Sequence, residues 1–194
     1  MHPFEFYVTL GFRHISDLAG YDHILFLIVL CAVYRIQQWR KILILVTAFT
    51  IGHSVTLILA SFDTFTIPSR IIKFLIPCTI FITAIHNVLG DKSLDSSTDM
   101  KKKYAMALVF GFIHGMDFSN YFKALLMDTS SIVIPLLGFN IGIELGQLLV
   151  VFFITASAFL SLNIIGVKHR EWNLFISGAA AGISLISMLE YKFW

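Results

Sequence analysis

Charge is what this chain has least of. Lys, Arg, Asp and Glu make up 13% of its 194 residues, where an ordinary soluble domain carries about 25%. That shortage excludes a conventional water-exposed globule. The formal net charge of +2 gives no electrostatic footprint for nucleic acid. Cysteine is nearly absent. Cys31 and Cys78 stand alone in apolar runs and form no Cys-x-x-Cys pair, so neither a disulfide framework nor a thiolate metal site is expected. No Gly-x-x-x-x-Gly-Lys-Ser/Thr stretch occurs, which leaves no phosphate-cradling loop for ATP. The opening "MHPFEFYVTL" lacks a basic leader region, so no cleavable signal is expected.

What is present is apolar. Hydrophobic residues reach 57% and the mean hydropathy is +0.82. The fold class expected is all-α: a polytopic membrane bundle of about six helices in contact with the lipid bilayer. The stretches that approach the ~20 apolar residues of a span are Tyr21–Tyr34, Ile42–Phe62, Pro68–Leu89, Tyr104–Met127, Ile132–Ile165 and Trp172–Tyr191. The first is short unless it extends back through Leu18. The fifth is long and carries Pro135 near its start. Before them, Pro3–Ile15 reads as an interfacial or re-entrant segment. The polar loop Gly90–Lys103, "GDKSLDSSTDMKKK", divides residues 1–194 into two three-helix halves, 1–90 and 103–194, of one membrane domain.

Orientation follows from Lys and Arg. Arg35, Arg40, Lys41, Lys92, Lys101, Lys102, Lys103, Lys168 and Arg170 fall on one side. Arg13, Arg70, Lys73, Lys123 and Lys192 fall on the other. Nine against five puts the Lys101–Lys103 loop in the cytoplasm and both termini on the outer side.

Against this background the polar residues stand out. His53 lies inside "TAFTIGHSVTL" and His114 near the middle of the fourth span, with Asp117 one helical turn beyond it. Asp22 and His23 open the first span, and His14 sits just upstream. Glu144 occupies the fifth, with Asn140 and Gln147 at i−4 and i+3 on its face. An ionisable side chain at membrane depth costs roughly 2.5–3.5 kcal/mol on insertion scales. Several are tolerable together when they share a polar interior or a cation. His, Asp and Glu without thiolate suit a divalent metal ion, the imidazoles fitting nickel, zinc, copper or iron without singling one out. Thr50 and Ser54 flank His53 as candidate supporting groups, the Thr50 hydroxyl being placed to orient the ring. The glycines Gly52, Gly111, Gly115, Gly142 and Gly146 fit close helix packing. His2 and His169 read as solvated surface residues. His86 divides evenly between an inner station on an ion path and an interfacial side chain.

A short internal echo accompanies these residues. "GFRH" at 11–14 returns as "GFIH" at 111–114, and "FTIG" at 49–52 as "FNIG" at 139–142. With three spans per half the copies would have opposite orientation, as in transporters built from inverted repeats.

Taken together, "GFRHISDLAGYDHILFL", "TAFTIGHSVTL", "FGFIHGMDFSNYF" and "FNIGIELGQL" resemble the HupE/UreJ family of small bacterial membrane proteins from Gly11 to about Val150. That family is associated with metal supply for nickel enzymes and is usually regarded as nickel or cobalt permeases. The resemblance implies metal-binding roles for His14, Asp22, His23, His53, His114 and Glu144. This sequence departs from the pattern in two places. No proline follows His14, and Asp117 stands where a glycine is expected, adding a carboxylate to the candidate ligands.

The reading expected is an inner-membrane divalent-metal permease of a bacterium, for nickel as the resemblance implies, with zinc, cobalt, copper and iron as the alternatives. His14, Asp22 and His23 capture the ion, His53, His114 and Glu144 hold it deeper, and Thr50, Ser54, Asn140 and Gln147 support them. The main rival is an intramembrane metal-dependent hydrolase of the zinc type, with Asp117 or Glu144 as general base. A metal sensor or an insertion partner for another membrane protein ranks third. Oligomeric state is left open.

Overall fold

The computed structural model describes residues 3–18, 20–62, 67–90, 97–126 and 132–192. His2, Asp63, Lys92 and Met127 lie outside them. The regular structure of the described residues is all helix: α1 Pro3–Ser16, α2 Asp22–Ala32, a 3₁₀ turn Ile36–Gln38, α3 Trp39–Ser61, α4 Ser69–Leu89, α5 Ser97–Leu126, α6 Val133–Phe159, a π-helical turn Leu160–Ile164 and α7 His169–Glu190. Among the described residues four helical stretches are long and apolar enough to cross a membrane: Ile36–Ser61, Ser69–Leu89, Val133–Ile164 and His169–Glu190. Large apolar side chains such as Phe152, Phe153, Phe175 and Ile186 point outward. That suits a lipid-facing surface and not a watery one.

Two boundaries differ from those expected. The polar segment ending at Lys103 is not loop throughout, because α5 begins at Ser97 and takes Lys101–Lys103 into its first turns. Lysine propagates a helix well, and only residues 91–96 fall outside the description. His169 is not a loop residue either. It opens α7 half-buried.

The principal pairings are α1 on α6, α3 on α5 and α4 on α7. Each joins one helix from either side of the polar loop. Glycines set two of them. A Cβ on Gly11 would collide with the Phe139 carbonyl, and one on Gly142 with that of Val8. Gly52 and Gly111 stand in the same relation to the carbonyls of Leu108 and Phe49. Such backbone contact is how helices associate where burial from water supplies no drive.

Direction can be read from these contacts. Gly138, Gly142 and Gly146 meet Tyr7, Val8 and Ile15 in ascending order, so α1 runs parallel to α6. Gly111 and Gly115 meet Phe49 and His53, so α5 runs parallel to α3. Ser54 reaches Asn140 while Thr47 reaches Glu144, so α3 and α6 are antiparallel. Phe26 lies against Phe110 and Tyr34 against Met100, so α2 opposes α5. It follows that α1 and α2 point the same way.

Neither α1 nor α2 is long enough to cross alone. Together their 14 and 11 residues come to about 37 Å at 1.5 Å per residue, against a hydrocarbon core of ~30 Å. The N-terminal segment therefore enters the bundle along α6, and α2 continues in its direction after a break that includes Asp17, Leu18, Gly20 and Tyr21. Gly20 and the polar Ser16 and Asp17 supply that break.

Candidate metal centre

The break in the α1–α2 pair brings His14, in the last turn of α1, beside His23, in the first turn of α2. Their ring centroids are 4.7 Å apart. His53 joins them from the middle of α3, 5.6 Å from His14 and 6.3 Å from His23. One nitrogen from each of these three rings lies within 4.8 Å of the others. His114, from α5, sits 5.3 Å from His23.

The hydrogen bonding of these rings is telling. His14 Nε2, His23 Nε2, both nitrogens of His53 and His114 Nε2 are buried and have no partner. His114 Nδ1 is engaged with the Phe110 carbonyl at 2.8 Å. A neutral imidazole fixed in that way donates through Nδ1 and leaves the Nε2 lone pair for a ligand. His53 and His114 are fully buried. An unsatisfied buried polar atom costs about 1–3 kcal/mol, and native interiors carry few of them. Three convergent imidazoles with a fourth beside His23 are a ligand set of the kind a divalent transition ion satisfies.

The walls are aromatic. Phe118 lies 4.2 Å from His14, Phe139 5.7 Å from it, and Phe49 5.1 Å from His114. Phe118 and Phe139 stack on each other at 4.8 Å. These rings pack against the imidazoles, and the Phe110 carbonyl adds a hydrogen bond at His114. The Thr50 hydroxyl, expected to orient His53, does not do so. It turns instead to α6.

The carboxylates are distributed around the imidazoles and not among them. Asp22 and Asp117 lie close enough for their charges to interact, with Lys73 beside Asp117. Asp22 is half-buried and Asp117 exposed. Because Asp117 follows His114 by one turn, this acidic pair marks one mouth of the site.

Glu144 lies on the other flank of α3. It accepts hydrogen bonds from Thr47 at 2.7 Å and from Thr50 at 2.8 Å. The Thr50 hydroxyl is also 2.7 Å from Gln147 Oε1, and its single hydrogen serves one acceptor at a time. One turn toward the histidines, Ser54 donates to Asn140 at 2.7 Å. Ser54 and Asn140, then Thr50 and Gln147, then Thr47 and Glu144 form a ladder between α3 and α6. It descends from the level of His53 toward the basic end of the bundle. Thr47 was missed as a member. Its spacing of three from Thr50 was the available signal. His86 is exposed near Lys103 at that basic end, away from the imidazoles.

The HupE / UreJ protein family model matches residues 1–192. No curated protein and no solved structure matches the chain. A family match over essentially the whole length, on a helical chain built to cross a membrane, settles the affiliation: the chain belongs to the HupE/UreJ family.

Proposed function

We propose that this protein is a single-domain inner-membrane permease for a divalent transition-metal ion, nickel first, and that the ion is its cargo. The observation that carries the reading is the convergence of His14, His23 and His53, with His114 beside His23, each ring holding at least one buried nitrogen that has no partner. The family's link to nickel and cobalt uptake or accessory roles points the same way.

Asp22 and Asp117 would draw a hydrated cation to the mouth. His14, His23, His53 and His114 would replace its water. The oxygens of Ser54, Asn140, Thr50, Gln147 and Glu144, on the side of α3 toward the basic end, would offer weaker ligands for departure. Conduction needs that gradation, since an ion held too tightly does not leave. The position of the imidazoles at the junction of two half-helices favours transport as well, because discontinuous helices are a recurring frame for midplane ion sites. The ladder toward Lys101–Lys103 agrees with inward movement if both termini face the periplasm.

No specific observation favours the hydrolase. A metal hydrolase needs a base beside metal-bound water. Among the described residues no carboxylate oxygen joins the imidazole group, and Glu144 is held by two threonines.

The test is uptake of nickel into sealed proteoliposomes across imposed ion gradients, with binding measured in parallel. The wild type accumulates nickel and the His53→Ala variant does not. Tight binding without accumulation under any gradient would contradict the permease and leave a metal-holding accessory role.

A further inference from the structure

A second cavity lies far from the imidazoles, at the basic end. It forms where α2 gives way to the 3₁₀ turn, α6 passes into its π-helical turn and α7 begins, and it encloses about 290 Å³. A π-turn widens a helix locally and is often found at functional sites. Here it bounds the cavity on one side through Leu162 and Asn163.

The lining has one sign of charge. Arg35, Gln37, His169 and Asn163 supply its polar wall, and no lining residue is acidic. The nearby Glu171 is taken up by Lys168 at 3.8 Å. No carboxylate of a described residue pairs with the Arg35 guanidinium. One ring nitrogen of His169 is bonded to the Tyr34 backbone, while its Nε2 is buried and has no partner. A guanidinium beside an unsatisfied imidazole nitrogen suits a ligand with an anionic oxygen and a hydroxyl. Guanidinium is the side chain best matched to phosphate geometry. A cation leaving the bundle would find Arg35 repulsive.

The rest of the lining is apolar apart from Tyr34 and Thr155, whose hydroxyls are engaged with Met100 and with carbonyls of α6. Ile154, Phe159 and Leu162 form its other wall. It adjoins an outward-facing apolar strip in which Leu160, Ile164 and Ile165 are 51%, 68% and 73% exposed. A free phosphate ion would use none of that strip. A lipid would, with its headgroup in the cavity and its acyl chains across the π-turn. The volume also exceeds the ~30 Å³ of a water molecule severalfold, which gives room for a headgroup.

We propose that this cavity binds the headgroup of an anionic phospholipid, with Arg35 on the phosphate and His169 Nε2 accepting from a headgroup hydroxyl. Basic pockets between membrane helices recur as sites for such lipids. The proposal does not rest on the metal reading.

The test uses the full-length purified chain in detergent. Short-chain phosphatidylglycerol, phosphatidylcholine of the same acyl length and inorganic phosphate are added separately. Thermal unfolding and native mass spectrometry are the readouts. Phosphatidylglycerol is retained and raises the unfolding temperature, whereas phosphatidylcholine and phosphate do not. Arg35→Gln weakens retention at least about fivefold, and Arg35→Lys keeps most of it. Should Arg35→Gln fail to fold, Asn163→Phe decides, since it fills the cavity from an exposed position. It is expected to abolish retention. Equal protection by the two lipids, protection by phosphate alone, or undiminished retention in Asn163→Phe or in a folded Arg35→Gln would overturn the proposal.

Discussion

The α1–α6 pair and the α5–α3 pair are two versions of one packing unit. Gly11 and His14 of α1 map onto Gly111 and His114 of α5, a shift of 100, and Phe49 and Gly52 of α3 map onto Phe139 and Gly142 of α6, a shift of 90. The contacts follow the same rule. Gly11 meets the Phe139 carbonyl as Gly111 meets that of Phe49, and Gly142 meets Val8 and Phe12 as Gly52 meets Leu108 and Phe112. Even the size differences compensate. Gly115 packs on Thr56 in one pair, and Ile15 packs on Gly146 in the other. Each pair draws one helix from each sequence copy, so the copies are interlocked and not side by side.

What differs is the chemistry. Both copies keep the histidine of the first motif. The second motif carries His53 and Ser54 on α3 but Ile143 and Glu144 on α6. One pair therefore adds an imidazole to the centre, and the other adds a carboxylate that two threonines hold at its flank. The packing is duplicated and the ligand set is not. A symmetric bundle would have presented equivalent sites to both pairs. This one places imidazole nitrogens at the junction and a carboxylate to one side, which under the proposed permease reading would give an ion a direction.

The largest effect expected from breaking this comparison is steric. Gly52→Ala and Gly142→Ala each push a methyl group into a facing backbone, and each should cost ~3 kcal/mol or more, at or above the upper end for overpacking. Gly178→Ala, with nothing within 4 Å, should be neutral or stabilising by up to ~1 kcal/mol. The yield of folded protein and its thermal unfolding check this. Unequal losses at Gly52 and Gly142 would break the equivalence of the pairs.

The next effect is chemical. His53→Ile gives α3 the residue that α6 already has. The fold should persist, since isoleucine fits the equivalent place in the other pair. Nickel affinity by calorimetry should fall by more than the 10–100-fold typical of losing a supporting group. The smallest effect sharpens the comparison from the other side. Glu144→Ser gives α6 the residue of α3. Nickel affinity should change less than tenfold, while uptake into vesicles slows, because the carboxylate lies beyond the imidazoles on the ladder. A loss of affinity equal to that of His53→Ile would place Glu144 among the ligands.

Much of the centre was legible in the sequence, for a physical reason. A histidine in an apolar helix is costly, so His53 and His114 announce a shared interior before any coordinates exist. The glycines likewise read correctly as sites of close packing. The unity of α1 and α2 was not legible. Hydropathy scores a continuous run, and a helix broken by Asp17 and Gly20 falls below it in both pieces. The place of Glu144 was legible only as far as its face. The i−4 and i+3 spacing puts Asn140 and Gln147 beside it, but which helix they meet depends on how the copies interlock. His169 escaped because "VKHRE" reads as solvated loop, whereas burial at the end of α7 is a tertiary effect.

The central claim is that the histidines of four helices hold one ion. X-ray absorption at the nickel edge, on protein loaded with one equivalent, tests it most directly. The account predicts three or four imidazoles around the metal, no sulfur, and the loss of one imidazole in His53→Ile. A sulfur ligand, or a shell of oxygens without imidazole, would contradict it.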